Sequence, residues 1–491
     1  MMWRLGSIGI LALISIAGAR AQGRGNANWT TTGYDAQRSS WVRTDPKISA
    51  DSLRKPGFQL LWKIKLEGQL TPLVVLDPYT GFRGHKSLGY LAGSFDDIFG
   101  IDIDLGVVEW HNHLSSGLKR QSVVTATCPG GLTSAMARTT NVSIQAAPAG
   151  RGGAARGGAA VGAVGEPGRG AVNLPPPAPA VAAAPRPAVA PSAPANPVAV
   201  RLNAVYAITS DGMLQTMYVS NGSDAEPPVD FLPPHADAVG LIVIDNVAYA
   251  ETQRGCNGVP DGVWELDLTS GKVASWNSSA TGIRGAAGPA FGPDGTVFAT
   301  SGGSVVALEA KSLSLKNTFT AGKEEFTSSP VVFAVKDKIL VAAATRNGSI
   351  YLLDSATMTA LHKTSTGSNP EALASWLDAA GVRWILAPTG GAITAWKVTD
   401  QNGGLTMESG WVSSAMTSPL TPIVVNGAVF AFSSRDKVLH ALDGLTGKEL
   451  WNSGGAITSS ARNGALSAGG SQIFATTDDG TLYAFGFPME H

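Results

Sequence analysis

Residues 428–443 read AVFAFSSRDKVLHALD, and residues 472–486 read QIFATTDDGTLYAFG. Each stretch contains an apolar strand that ends in small polar residues, then a tight turn, then a second strand whose apolar side chains alternate with period two. This pattern is typical of a β-hairpin with buried residues on one face. The same hairpin recurs at residues 89–102, 204–218, 247–267, 296–309, 338–354 and 384–397, which makes eight copies.

The spacing of the hairpins gives the period of a repeat. From Tyr218 to Gly486, the residues that close successive hairpins are 42 to 49 positions apart. A period of about 45 residues with four strands per unit is typical of a β-propeller, so the chain is predicted to be all-β and eight-bladed. Four dipeptides suited to tight turns are predicted to join second and third strands: Asp211-Gly212, Asp294-Gly295, Asn347-Gly348 and Asp479-Gly480.

The last hairpin is not followed by a fourth strand, but the start of the chain offers one. Residues 58–66 (FQLLWKIKL) resemble the outer strand around residues 448–451 (KELW). Residues 70–75 (LTPLVV) likewise resemble the inner strand at residues 420–425 (LTPIVV). We therefore predict that an N-terminal strand completes the last blade and closes the ring, which covers faces that an open fan would expose.

The chain also contains two segments that do not fit the repeat. Residues 1–21 combine Arg4, an apolar run and Ala19-Arg20-Ala21, which predicts a signal peptide and a periplasmic or extracellular protein. No later run approaches the roughly 20 apolar residues that a membrane-spanning helix requires. In residues 151–200, 34 of 50 are Ala, Gly or Pro, so residues 140–202 are predicted to form a disordered insertion. The rest of the chain is predicted to form an N-terminal extension at residues 22–54 and the two parts of the propeller at residues 55–139 and 203–491.

Charge and cysteine content exclude several classes of protein. The chain has 36 Lys+Arg and 37 Asp+Glu, a formal net charge of -1, which argues against a nucleic-acid partner. Its two cysteines are too few for a zinc-finger framework, and no Cys-x-x-Cys-His motif attaches a haem. Cys128 and Cys256 are predicted to fall on the same face of adjacent blades. That placement predicts a disulfide, and two independent buried thiols are the alternative.

Three turns show which family the repeat resembles. Residues 441–451 (ALDGLTGKELW), 265–276 (ELDLTSGKVASW) and 100–110 (GIDIDLGVVEW) are similar to the pyrroloquinoline quinone (PQQ) repeat. This repeat builds the eight-bladed propellers of quinoprotein alcohol dehydrogenases and the non-catalytic propellers of outer-membrane assembly lipoproteins. The stretch NWTTTGYDAQRSSW at residues 28–41 resembles the opening of exported quinoprotein dehydrogenase-like proteins. The chain lacks the adjacent cysteine pair common in catalytic members.

The resemblance implies a cofactor funnel at the end of the ring that carries the second-to-third-strand loops and the loops entering each blade. PQQ is a flat tricarboxylate whose binding requires basic side chains, an aromatic plate and usually a divalent cation such as Ca²⁺. The candidates for the first two needs are Arg284, Arg346, Trp376, Arg435 and Arg462. Asp378 and Asp97 are the candidate general bases. Each of these residues has the alternative of an ordinary structural role in a turn.

Two other features bear on function. His111 and His113 lie on one side of an outer strand, but no third ligand accompanies them, so no metal site is predicted. Two functions therefore remain open. One is a PQQ-dependent oxidoreductase that acts on an alcohol or polyol; the other is a non-catalytic propeller that binds a protein, peptide or saccharide on its funnel face.

Overall fold

The computed structural model describes residues 28–81, 84–94, 96–114, 128, 132–144, 203–278 and 282–488. Within these ranges the strands form eight sheets that follow one another along the chain. The eight-bladed β-propeller is therefore confirmed. The predicted signal peptide and most of the predicted disordered insertion lie outside the described residues. In the part that is described, no helix has the length and hydrophobicity needed to cross a bilayer.

The blades are numbered in chain order. Their strands are Val74–Gly81, Gly84–Ala92, Asp97–Asp102 and Val107–His113 in blade 1; Ala204–Ile208, Met213–Tyr218 and Asp224–Asp230 in blade 2; Asp237–Ile244, Val247–Gln253, Gly262–Asp267 and Val273–Asn277 in blade 3; Ala290–Phe291, Val297–Ser301, Ser304–Leu308 and Leu315–Thr320 in blade 4; Val331–Val335, Lys338–Ala344, Ser349–Asp354 and Thr359–Ser365 in blade 5; Ala374–Leu377, Arg383–Thr389, Ala392–Gln401 and Gly404–Val412 in blade 6; Ile423–Val425, Ala428–Ser433, Val438–Asp443 and Glu449–Asn452 in blade 7; and Leu466–Gly469, Gln472–Thr476, Thr481–Gly486 and Gln59–Lys65 in blade 8.

Few further elements are present. A bridge between Ala137 and Tyr206 marks the innermost position of blade 2. Trp41–Val42 and Thr139–Thr140 add in parallel to the inner edges of blades 7 and 3. One short α-helix, Ala50–Leu53, precedes the closing strand. Single 3₁₀ turns lie at Cys256–Gly258 and Gly454–Ala456.

The ring closes as predicted. Gln59–Lys65 pairs antiparallel with Thr481–Gly486, so a strand from the start of the chain completes the last blade. Trp62 in this strand lies 5.9 Å from the ring of Phe474. Its indole Nε1 donates a hydrogen bond of 3.0 Å to the carbonyl oxygen of Ile103 in blade 1. The closing strand therefore completes blade 8 and also bonds to the neighbouring blade 1.

Tryptophans on outer strands pack against glycine turns of the following blade. A Cβ added at Gly106 would lie 2.5 Å from the ring of Trp62, and one added at Gly222 would lie 2.5 Å from Trp110. Both glycines have positive φ angles, so the turn and the close approach each require a residue without a Cβ. Trp110 is buried, whereas Trp62 is half-buried.

Three of the four predicted turns join second and third strands, at Gly212, Gly348 and Gly480. The prediction for Asp294-Gly295 was wrong. This dipeptide lies between the first and second strands of blade 4. The inner strand of that blade, Ala290–Phe291, is only two residues long and has no alternating pattern, so the turn was assigned to the following hairpin.

The N-terminal extension runs around the inside of the ring. Its carbonyl oxygens at Trp29, Ala36, Gln37, Ser39 and Ser40 accept backbone hydrogen bonds of 2.8 to 3.0 Å from the inner strands of blades 1, 4, 5, 6 and 7 in turn. We call residues 28–42 the channel segment. Because it bonds to one blade after another, it links opposite sides of the propeller across the central channel.

Candidate functional site

One end of the ring contains a cavity of about 700 Å³, which we call the funnel. Its walls come from loops that enter blades and from loops between second and third strands, including Pro72, Ser94, Gly285 and Thr477. Antiparallel strands bring these two sets of loops to the same end of each blade. The channel segment contributes Thr32 to the lining. The sequence did not reveal this contribution, because the segment has no strand periodicity.

Four arginines of the described part of the chain line the funnel. They include the predicted Arg284, Arg346 and Arg462, together with Arg254. Three of the four have a carboxylate partner: Arg254 lies 2.8 Å from Asp237, Arg346 lies 2.8 Å from Glu325, and Arg462 lies 3.1 Å from Asp478. Arg284 is exposed and forms no ion pair with any described residue. The funnel wall is therefore polar, with most of its charges paired.

Asp237 is a lining residue that the sequence analysis missed. It begins the inner strand of blade 3 and is 3 % exposed. Burial raises the pKa of Asp237 to about 6, although the guanidinium of Arg254 favours the charged form. Its side chain also interacts with Gln253, which lines the funnel as well. An aspartate at the start of a strand carries no distinguishing sequence signal.

Trp376 and Arg435 do not line the funnel. Trp376 lies within the inner strand of blade 6, is 4 % exposed, and stacks at 6.2 Å on Trp384 in a buried cluster. It therefore cannot cover a ligand in the funnel. Arg435 is exposed in the second-to-third-strand loop of blade 7, away from the cavity wall. Among the described residues, none that lines the cavity has an aromatic side chain.

The two candidate bases are also engaged elsewhere. Asp378 lies in a first-to-second-strand turn, and such turns lie at the end of the ring opposite the funnel. Its carboxylate accepts hydrogen bonds from the backbone of Ala380 and Val382 and from the indole of Trp384, at 2.8 to 2.9 Å. These contacts fix the turn, and they leave Asp378 without access to a funnel ligand.

Asp97 begins the third strand of blade 1 but is not part of the cavity wall. One of its oxygens, Oδ1, lies 3.0 Å from Nε2 of His111 and 3.1 Å from Nδ1 of His113. The carboxylate therefore holds both imidazoles in place. Over the described part of the chain, no three His, Cys, Asp or Glu side chains are arranged to hold a metal ion.

Cys128 and Cys256 form a disulfide, as predicted. Their Cα atoms are 5.5 Å apart, and 128 positions separate them in sequence. Cys256 follows the second strand of blade 3 and lies close to Arg254. The bond therefore ties the approach to blade 2 to a loop that carries a funnel arginine.

These observations allow a test of whether the funnel fits PQQ. The arginines are of the type that binds carboxylates, and this part of the fit is present. Among the described residues, no aromatic side chain lines the cavity, and no three His, Cys, Asp or Glu side chains are arranged to hold a metal ion. The described lining therefore supplies the basic side chains that this cofactor requires but not the aromatic plate.

The fold is an eight-bladed β-propeller, and its turn motif resembles the PQQ repeat. Residues 261–486 match the PQQ_2 family model, which is described as outer membrane protein assembly factor BamB. This match and the eight sheets confirm the resemblance over residues 261–486, which contain PQQ repeats within the propeller. No curated protein matches the chain in sequence.

Solved structures share this fold at low sequence identity. The quinohemoprotein alcohol dehydrogenase from Comamonas testosteroni is 12% identical with a TM-score of 0.58, over 96% of this chain and 82% of that one. The quinohemoprotein alcohol dehydrogenase ADHIIG from Pseudomonas putida HK5 is 14% identical with a TM-score of 0.60, over 95% and 81%. BamB from Moraxella catarrhalis is 14% identical with a TM-score of 0.51, over 88% and 100%. At these identities the likeness extends to the fold alone.

Proposed function

We propose that this protein is an exported, non-catalytic propeller that binds a protein or peptide partner at its funnel face. The observation that carries the proposal is the chemistry of the funnel wall. The described lining residues present arginines, carboxylates and hydroxyl groups, and they include no aromatic ring on which a quinone or a sugar ring could stack. Charges of both signs on such a wall can complement opposite charges on a polypeptide and fix its orientation.

Export is part of the proposal and has two supports. The first 21 residues have the composition of a signal peptide. The disulfide between Cys128 and Cys256 points to an oxidising compartment, because cytosolic thiols are kept reduced.

The second candidate is a PQQ-dependent oxidoreductase. The convergence of Arg284, Arg346 and Arg462 in one cavity favours it, since PQQ is a tricarboxylate. Reconstitution separates the two candidates. Mature protein is incubated with PQQ and Ca²⁺, and dye reduction is followed with a panel of alcohols and polyols. We expect no PQQ-dependent reduction, and sustained turnover with any substrate would overturn the binding proposal.

Partner capture tests the binding function directly. Wild-type protein, the funnel variant Arg254→Glu/Arg462→Glu, and the control variant Arg435→Glu are immobilised and exposed to envelope extract from the source cells. A true funnel partner is retained by wild type and by Arg435→Glu, which lies on the same face outside the cavity, and is lost with the funnel variant. Equal retention by all three proteins would contradict binding at the funnel.

A further inference from the structure

A second, more open pocket adjoins the funnel between blades 4 and 5. Arg284 and Arg346 line both cavities, and the second pocket adds Lys323, Glu324 and Glu325. We call this second pocket the basic groove, after Arg284, Lys323 and Arg346. Because the same two arginines form the wall of each cavity, an extended ligand can pass from one into the other.

The carboxylates of the basic groove are already neutralised. Glu324 accepts hydrogen bonds from Lys363 and from Thr345, the latter at 3.1 Å. Although burial opposes ionisation, hydrogen bonds from Lys363, Ser349 and Thr345 lower the pKa of Glu324 to about 2. Glu325 pairs with Arg346 at 2.8 Å. Both acidic groups therefore have cationic partners of their own.

Two cations of the groove have no such partner. Among the described residues, neither Arg284 nor Lys323 forms an ion pair, and both are exposed. On the far side of the funnel, by contrast, Arg254 and Arg462 are each paired with an aspartate. Among the described residues of the two cavities, the cations without an ion-pair partner therefore lie at blades 4 and 5, and the exposed carboxylate of Glu371 lies in the loop that enters blade 6.

The backbone on both sides of the groove is fixed. The carbonyl oxygen of Arg284 accepts a 3.2 Å hydrogen bond from Thr300, and the neighbouring Ile283 forms a bridge with Ser301. In the opposite wall, the amide of Arg346 donates a 2.7 Å hydrogen bond to the carbonyl oxygen of Glu325. Charges carried by ordered loops lose little backbone freedom when a ligand binds, which favours affinity.

We propose that the basic groove binds the carboxylate side chains of an acidic peptide segment, which the partner protein supplies. This inference rests on the proposed binding function and adds the chemical class of the partner. The guanidinium of Arg284 matches a carboxylate through two parallel hydrogen bonds, and the ammonium of Lys323 attracts a second carboxylate. The open shape of the groove leaves room for the backbone between the two carboxylates.

The test measures binding of a fluorescently labelled hexaglutamate peptide to mature, disulfide-bonded protein by anisotropy. We expect a Kd of roughly 1–100 µM at low salt, weakening strongly when ionic strength rises toward about 0.5 M. Arg284→Gln/Lys323→Gln should weaken binding by at least about tenfold, since each charge-assisted hydrogen bond is a substantial share of such an affinity.

The matched control is Arg435→Gln/Lys437→Gln, which removes the same charge from the same face at blade 7. Equal weakening by this control, or no binding to wild type, would overturn the inference. Unlabelled citrate and PQQ are tested as competitors. If either displaces the peptide far below the concentration that free glutamate requires, the groove prefers a small polycarboxylate and the peptide assignment fails. Dye reduction with PQQ present would instead contradict the non-catalytic function, so the two failures are distinguishable.

Discussion

At the scale of single residues, the repeat is defined by a turn in which aspartate and glycine act together. Gly447 and Gly271 each donate an amide hydrogen bond of 2.8 Å to the carbonyl oxygen four residues earlier, at Asp443 and Asp267. The carboxylates of these aspartates accept further hydrogen bonds from amides inside the turn. Both glycines have φ angles near +70°, at +69° and +68°. This geometry explains why the motif is visible in the sequence.

Two substitutions separate backbone strain from packing in this turn. Gly271→Ala places a Cβ in open space, whereas a Cβ at Gly447 would lie 2.2 Å from the ring of Trp411. We expect Gly271→Ala to lower the free energy of unfolding by about 1 kcal/mol, from the positive φ alone. Gly447→Ala should lower it by about 1–3 kcal/mol more, because Trp411 must move. Urea denaturation measures both, and equal losses would show that the close approach is unimportant.

Glu251 is a buried carboxylate whose titration should be visible in stability. It is 1 % exposed, and its oxygens have no hydrogen-bond partner among the described residues. Burial raises the pKa of Glu251 to about 8, although Arg38 favours the charged form. Because the folded pKa exceeds the unfolded value, the stabilising contribution is complete at acid pH below the unfolded pKa. It is lost as the pH rises through about 8.

The measurement compares thermal melting of wild type and Glu251→Gln between about pH 5 and pH 9. We expect wild type to lose stability with rising pH more steeply than the variant, by up to about 1.4 kcal/mol per pH unit. Glu408→Gln is the control, because Glu408 is on an outer strand and its pKa is lowered by hydrogen bonds from Thr399 and Gln401. Parallel pH profiles for wild type and Glu251→Gln would show that Glu251 does not titrate in this range.

At the scale of elements, the attachment of the channel segment to the ring depends on one buried side chain, that of Arg38. Arg38 is 1 % exposed, and its guanidinium donates hydrogen bonds of 2.7 to 2.8 Å to the carbonyl oxygens of Thr32, Gly240 and Pro289 and to the hydroxyl of Thr31. Two of these acceptors belong to the inner walls of the ring, at blades 3 and 4. The Arg38 side chain therefore bonds the channel segment to blades 3 and 4, and it also bonds to Thr31 and Thr32 of the segment itself.

Arg38→Met tests this role. The substitution leaves three buried carbonyl groups without a donor, so we expect a loss of about 3–5 kcal/mol in the free energy of unfolding. Arg43→Met, one residue beyond the channel segment, is the control. Arg43 is 23% exposed and lies 3.9 Å from Asp35, so its loss should be near 1 kcal/mol or less. Denaturant titration of both variants gives the comparison, and similar losses would contradict the special role of Arg38.

The same segment shows what the sequence could and could not predict. Hairpins, blade number and the closing strand were predictable because their periodicity is set by burial on alternating positions. The channel segment was not predictable, since its own carbonyl groups and the guanidinium of Arg38 bond to backbone groups of the ring, and such contacts leave no pattern in the sequence. Trp376 was predicted to face the funnel because the repeat locates a loop only to within a few residues. In the structure this tryptophan lies inside the strand that follows the loop. The convergence of Arg284, Arg346 and Arg462 was predictable, because each lies in one of the two sets of loops that meet at the funnel end of the ring.

At the scale of the whole molecule, the ring is closed by several devices that join distant parts of the chain. The closing strand Gln59–Lys65 pairs with Thr481–Gly486, and the channel segment bonds to inner strands across the channel. The disulfide joins positions on either side of the predicted insertion. An open propeller would expose the faces of its first and last blades, so the stability of every blade depends on closure.

Deletion of residues 55–66 tests that dependence. The deletion removes the outer strand of blade 8, exposes the edge of Thr481–Gly486, and removes the contacts of Trp62 with blade 1. We expect the deletion protein to lose the single cooperative unfolding transition.

Trp62→Ala is a milder variant. We expect it to lower the free energy of unfolding by about 3 kcal/mol, which is near the low end for large aromatic truncations because Trp62 is only half-buried. Lys63→Gln, at an exposed position of the same strand, should unfold like wild type. Melting followed by circular dichroism and tryptophan fluorescence distinguishes the cases. If the deletion protein melts in one transition at the wild-type temperature, closure by this strand does not hold the ring together, and the inner channel segment must do so instead.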